Sequence, residues 1–440
     1  MVNRRTSRIV VQQAALLVSL LLAAAFANAQ LRIEITRGQD SAVPIAVVPF
    51  GWDAAGAPAF DVSQIVSDDL QRSGRFAPLD RKDMIDRPTT GEQIKFQDWR
   101  YLKSDYIAVG KVTPEGDRFN VQFELHNVLN GQRLTGQRLT GNSGSMRSVA
   151  HRIADMIYEQ ITGVPGAFST RIAFVGVTGT APALTYKMIV SDYDGENQQT
   201  IASSNEPMMS PAWSPDGQSL AYVSFETRSS AIYVQTVKSG ERRRVSARAG
   251  INGAPAWSPD GTTLAITLSR KDGDIDIYTL NLGTQVLTRM TFDPGIDTEP
   301  TWSLDGKKIY FNSDRAGSPQ IYSIDVASPN TPTRISFEGG YNARPRLSPD
   351  GKQLAVVYSD KGNFKIATID LASKGVQVLS GGRQDESPSF APNGATIIYA
   401  TQDRGRGVLA TVSTDGRVQQ KMAANAGDVR EPVWAPFPPK

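Results

Sequence analysis

Residues 211–217 read PAWSPDG, and residues 255–261 read PAWSPDG again. Variants follow as PTWSLDG at 300–306, PRLSPDG at 345–351, PSFAPNG at 388–394 and a shortened PVWAP at 432–436. The leading prolines stand 44, 45, 45, 43 and 44 residues apart. A period of this length with a tight Asp-Gly or Asn-Gly turn in each full copy is the signature of a β-propeller, in which each repeat folds as one four-stranded blade.

Working outward from the motif, each period offers the other strands of a blade. The second strands are predicted at Leu220–Ser224, Leu264–Leu268, Ile309–Ser313, Leu354–Tyr358 and Ile397–Thr401. The third are predicted at Ile232–Gln235, Ile275–Leu280, Ile321–Ile324, Lys365–Ile369 and Val408–Val412, and a shorter, more polar fourth strand suits an outer edge. Residues 171–202 supply three strands with no motif before them, whereas 432–436 supply a motif strand with nothing after it. The C-terminal strand is therefore expected to complete the first blade from inside, giving six blades and a closed ring. Trp213, Trp257, Trp302, Phe390 and Trp434 recur at one position, with Leu347 the exception, and are expected to pack between blades.

Ahead of the repeats the rhythm changes to that of an α/β domain. Strands are predicted at Val43–Phe50 and Asp105–Val112, and a helix at Phe60–Ser73 stopped by Gly74. In 119–125 the apolar Phe119, Val121, Phe123 and Leu125 alternate with polar residues, so one face is buried. Asn130-Gly131 turns that strand into the next, and Ser145–Ile161 reads as an amphipathic helix. The domains are placed at 30–163 and 169–440, with 164–168 as linker and 30–37 as a β-forming tail.

The 47 basic and 44 acidic residues give a net charge of +3, but Arg4, Arg5 and Arg8 lie in the first 29 residues, which hold no acid. The remainder balances at 44 against 44 (47 minus 3 basic), so a phosphate-tracking field and nucleic-acid binding are excluded. Those arginines, the apolar run Ala14–Phe26 and Ala27-Asn28-Ala29 read as a secretory signal cleaved between Ala29 and Gln30. The product is expected to be exported and not inserted in a membrane. With no cysteine, packing alone must hold the fold, and thiol chemistry and lipid attachment through cysteine are excluded.

Enzymatic chemistry finds no footing. His126 and His151 are the only histidines, His126 on the polar face of its strand and His151 on a helix, without metal-ligand spacing. No nucleophile elbow, P-loop or dinucleotide fingerprint is present. Asp192-Tyr193-Asp194-Gly195-Glu196 starts like a calcium loop but lacks the later ligands, and a hairpin turn accounts for it. No cofactor is expected. Because serine peptidases carry similar propellers, an accessory module of a peptidase is the alternative class.

Binding is expected where the loops leading into the innermost strands open at one mouth of the channel. Each proline is expected to hold the residue before it extended toward that mouth. The loops are NEPMMS (205–210), AGINGA (249–254), GIDTE (295–299), GGYNAR (339–344), GRQDES (382–387) and AGDVRE (426–431). Their mixture of acids, arginines, amides and apolar groups resembles a protein-binding surface. The carboxylates Asp297, Glu299, Asp385, Glu386 and Glu431 need Arg344, Arg383 and Arg430 or a cation to offset them, so calcium in the channel is a candidate.

An export signal, a β-forming tail, PIAVVPF at 44–50, an α/β domain and six W-S-P-D-G blades together resemble the TolB family of the bacterial Tol-Pal envelope system. NGAPAWSPDG at 252–261, TEPTW at 298–302 and DGRVQ at 415–419 are similar to that family's blades, with Leu347, Arg346 and Asn393 as departures. The resemblance implies a periplasmic, non-enzymatic scaffold that maintains outer-membrane integrity and assists constriction during cell division. It implies that the lipoprotein Pal binds the propeller mouth, placing Ile251, Asn252, Ala254, Asp297, Thr298 and Glu299 in that site. Asn342, Arg344, Asp385, Glu386, Arg430 and Glu431 complete it. It further implies that the inner-membrane-anchored TolA binds the tail, and that colicin-type import factors are further partners. The residues agree on the tail: Leu31, Ile33 and Ile35 alternate with Arg32, Glu34 and Thr36, the pattern of a strand able to add to a sheet edge or to belong to the small domain's own edge.

Overall fold

A computed structural model describes residues 31–37, 42–56, 60–270, 273–359, 361–424 and 427–438. The export signal and its Ala29–Gln30 cleavage site lie outside the described residues. No helix among those described is long and apolar enough to cross a membrane.

In the small domain, strands Val43–Val47, Phe76–Pro78 and Tyr106–Glu115 pair in parallel, and Arg118–Asn127 and Arg133–Asn142 extend the sheet antiparallel. Helix α1 (Val62–Arg72) starts where Asp61 accepts the Gln64 N–H and ends before Gly74, which adopts φ +66°. Helix α2 (Phe96–Tyr101) covers one face of the sheet with Trp99. Helix α3 (Met146–Thr162) packs with α1 on the other face, where Val149, Ile153 and Ile157 meet Val66, Leu70 and Phe123. The alternation in 119–125 holds, with Val121, Phe123 and Leu125 fully buried.

The propeller has six blades, and the PAWSPDG repeat shows why its residues recur. In the first copy the Ser214 hydroxyl donates to Asp216 at 2.5 Å and accepts from the Ser219 N–H, while Asp216 accepts from the Gln218 N–H at 3.0 Å. Gly217 closes the turn at φ +66°, which a side chain would strain. The same box forms at Ser258/Asp260, Ser303/Asp305 and Ser348/Asp350. The tryptophan ties neighbouring blades together as well as packing between them. Trp213 Nε1 donates to the Val433 carbonyl, Trp257 to that of Ala212 and Trp302 to that of Ala256, at 3.3, 3.1 and 3.1 Å. Leu347 and Phe390 cannot donate, so the joints between blades four and five and between five and six lack this tie.

The C-terminal strand Asp428–Trp434 pairs with Arg171–Thr180 as the innermost strand of blade one, as the unmatched motif requires. Trp434 Nε1 donates to the Thr170 hydroxyl at 2.7 Å. The tail strand Leu31–Arg37 pairs antiparallel with Gln419–Ala424, the fourth strand of blade six, and makes that blade five-stranded. The tail is thus a strand of the propeller and not an edge strand of the small domain.

Candidate functional site

Six proline-preceding residues build the throat of the channel, but not in the extended conformation expected of them. Ser210, Ala254, Glu299, Arg344, Ser387 and Glu431 all sit at positive φ, from +44° to +56°. Each innermost strand slips its register at this point, for example between Met209 and Ala212 or between Thr298 and Thr301. The bulge lifts the pre-proline residue and the proline out of the ladder, where the missing proline N–H costs nothing. It also brings the pre-proline groups of five blades around one small void of about 20 Å³.

The throat is ion-paired. Arg344 lies 3.4 Å from Glu299 and 3.8 Å from Glu431, and also donates to the Ser387 hydroxyl. Arg346, a departure from the family pattern, adds a 3.3 Å contact to Glu299. Burial raises the Glu299 carboxyl, but the two guanidiniums outweigh it and hold the group below its usual range. Burial pushes Glu431 up, since the Arg344 charge is shared and Glu299 and Glu386 lie near.

The structure separates the other mouth residues by depth. Asn252, Asp297, Asn342 and Asp385 stand at one repeated position, three residues before the proline, and are enclosed. Asn252 bonds the Ser246 hydroxyl at 2.7 Å, Asp385 takes the Ser380 and Thr401 hydroxyls at 2.5 Å each, and Asn342 bonds Gln320 at 3.0 Å. Asp297 is paired with Arg315 at 2.9 Å, although burial raises its carboxyl. These four shape the loops from beneath. Ile251 is exposed, as is Glu386; Thr298 and Arg430 are half-buried, and Ala254 is buried. A cleft of about 490 Å³ opens at the mouth across blades five, six and one, with Tyr341, Phe364, Glu386 and Arg430 among its walls.

A cluster missed at the sequence level joins the two domains. His151 of α3 bonds Asp69 of α1 through Nδ1 at 2.6 Å, and the Tyr193 hydroxyl of blade one donates to Asp69 at 2.8 Å. Arg72 reaches Asp194 at 3.1 Å, and Arg147 bridges Asp194 and Asp192. Burial opposes a charge on His151, but Asp69, Asp192 and Asp194 prevail and hold its proton up to about 10. His151, Asp192 and Asp194 present donor atoms within 4.8 Å of one another, an arrangement that could hold a cation, but Arg72 and Arg147 already serve those carboxylates. His126, expected on a polar face, is instead buried beneath the 91–93 turn and 3.1 Å from Glu124. The signal for the interdomain cluster was Asp192–Asp194: a plain hairpin turn does not need two acids flanking a tyrosine.

Comparison with known proteins accounts for both parts of the chain. Residues 31–134 match the profile described as the TolB amino-terminal domain, and residues 158–438 that of the TolB beta propeller domain. The Tol-Pal system protein TolB of Thioalkalivibrio sulfidiphilus is 50% identical over 414 residues, covering 93% of this chain and 95% of the relative. That of Xanthomonas campestris pv. campestris is 49% identical over 427 residues, covering 96% and 97%. The crystal structure of TolB from Acinetobacter baumannii superposes with a TM-score of 0.87 at 41% identity, covering 93% of this chain and all of that one.

Proposed function

Because the chain belongs to the TolB family and is thereby a component of the Tol-Pal system, we propose that it is a non-enzymatic periplasmic scaffold with two partner surfaces. Pal binds at the propeller mouth and TolA binds the tail, and through them the protein links the two membranes, sustains outer-membrane integrity and assists constriction at division. The observation that carries this reading is the tail strand. It is held along one edge of blade six, four strand spacings or about 19 Å from that blade's innermost strand. A strand paired on one side only can exchange its partner for another chain's sheet edge.

The mouth supports the other half. Ile251, Thr298, Glu386 and Arg430 are reachable around a throat fixed by Arg344, an arrangement of apolar and charged groups on a rigid frame suited to a protein partner. The test is affinity capture from envelope extract with the mature protein. The scaffold reading expects Pal and TolA among the captured proteins, and a tail-deleted bait that loses TolA alone. Capture of neither would overturn it.

A further inference from the structure

The two domains enclose a cavity of about 150 Å³ that neither partner surface uses. Its floor is aromatic. Tyr158, Phe168, Tyr193 and Trp434 follow one another along it with centroid separations of 5.5, 5.5 and 6.4 Å, running from α3 of the small domain to the last strand of the propeller. Val418 and Met422 of blade six and the turn at Ala395 also line it.

Because its walls belong to different domains, the cavity cannot close by repacking within either one. Asp155 of α3 accepts the Phe168 and Ser169 N–H groups at 2.7 and 3.1 Å and fixes the linker. Asn393, standing where other repeats carry Asp, donates to the Pro165 carbonyl at 2.9 Å, and Gln420 donates to the Arg72 carbonyl. These bonds hold the domains apart at this spacing. A cavity of about 150 Å³ is the size that admits a benzene ring; this one joins its aromatic side chains to polar groups such as Thr411, Ser413 and Gln420, and domain interfaces are where small-molecule sites concentrate.

Charge at the rim selects the ligand. Arg72 is committed to Asp69 and Asp194. Asp415 is engaged by the Ser413 hydroxyl and the Arg417 N–H. Arg75 is exposed, and among the described residues it takes part in no ion pair within 4.0 Å, although its charge acts across the rim on Asp415 and helps hold that carboxyl below its usual range. We propose that the interdomain cavity is a binding site for a small aromatic anion, with its ring against Tyr158, Phe168 and Trp434 and its carboxylate on Arg75. Gln420 and Met422 also belong to the strand that carries the tail, so an occupant touches the tail's support directly.

Benzoate and benzylamine, the same ring with opposite charge, are titrated into the mature protein and followed by saturation-transfer NMR. Benzoate is expected to bind saturably with Kd on the order of 1 mM, and benzylamine about tenfold more weakly. Ala395→Trp, which fills the cavity from a half-exposed turn, should weaken benzoate by about tenfold or more, and Arg75→Glu should reverse the preference between the two probes. Since Arg75 is exposed, Arg75→Glu keeps its fold and decides the matter even where the tryptophan variant does not. No saturable benzoate binding, or equal binding of both probes to parent and Arg75→Glu, would overturn the assignment.

Discussion

Ala254 holds φ +44° with no side-chain hydrogen bond or ion pair to compensate, unlike Glu299 or Arg344 at the same position of other blades. A left-handed backbone costs an L-residue about 1–2 kcal/mol. Ala254→Gly should therefore raise the urea midpoint of the propeller by an amount worth about 1 kcal/mol, and Ala254→Val, with a branched Cβ, should lower it. His151 gives a second expectation, read against pH. Its folded proton is held up to about 10 against an ordinary 6.5, so its contribution is fully present below 6.5 and is lost as pH rises toward 10. The melting temperature of the parent should fall across that window, and His151→Gln should flatten the fall. The setting of His151 was not legible from its neighbours in sequence. His151 finds Asp69 at a separation of 82 residues and Tyr193 finds Asp69 at 124, and no local periodicity reports such meetings.

Elements were read more faithfully than residues. The repeat period and the turn box depend on contacts within a few residues, as between Ser214 and Asp216, so the blades could be placed from sequence. Closure was legible too, because an innermost strand without its blade and a blade without its innermost strand imply each other. Deleting residues 430–440 should expose the facing sides of blades one, two and six, and the protein should aggregate or melt far below the parent. Trp434→Ala alone should cost about 3–5 kcal/mol, through the cavity it leaves and the Thr170 bond it loses. The tail's place was not legible. Alternation of Leu31, Ile33 and Ile35 announces a strand, but several open edges could take it, and only the assembled molecule shows that blade six does. The pre-proline bend escapes the sequence for a similar reason. The local preference for an extended residue yields to a bulge that six inner strands need in order to pass their prolines around one axis.

At the scale of the whole molecule, the tail, the last blade and the small domain meet on one strand. Gln419–Ala424 carries the tail along its edge, and its Gln420 bonds the end of α1. The mouth, by contrast, is held by Arg344, Glu299 and Glu431 at the axis. Two surfaces so placed should be separable by mutation, and their separateness is the central claim. Calorimetric titration of Pal and of TolA into the protein lacking Leu31–Arg37, and into Arg344→Glu, tests it most directly. The account predicts that the tail deletion abolishes TolA binding and leaves Pal binding largely in place. It predicts that Arg344→Glu weakens Pal by about thirtyfold or more while TolA binds as before. A tail-deleted protein that binds TolA normally and loses Pal would contradict the account by exchanging the two surfaces.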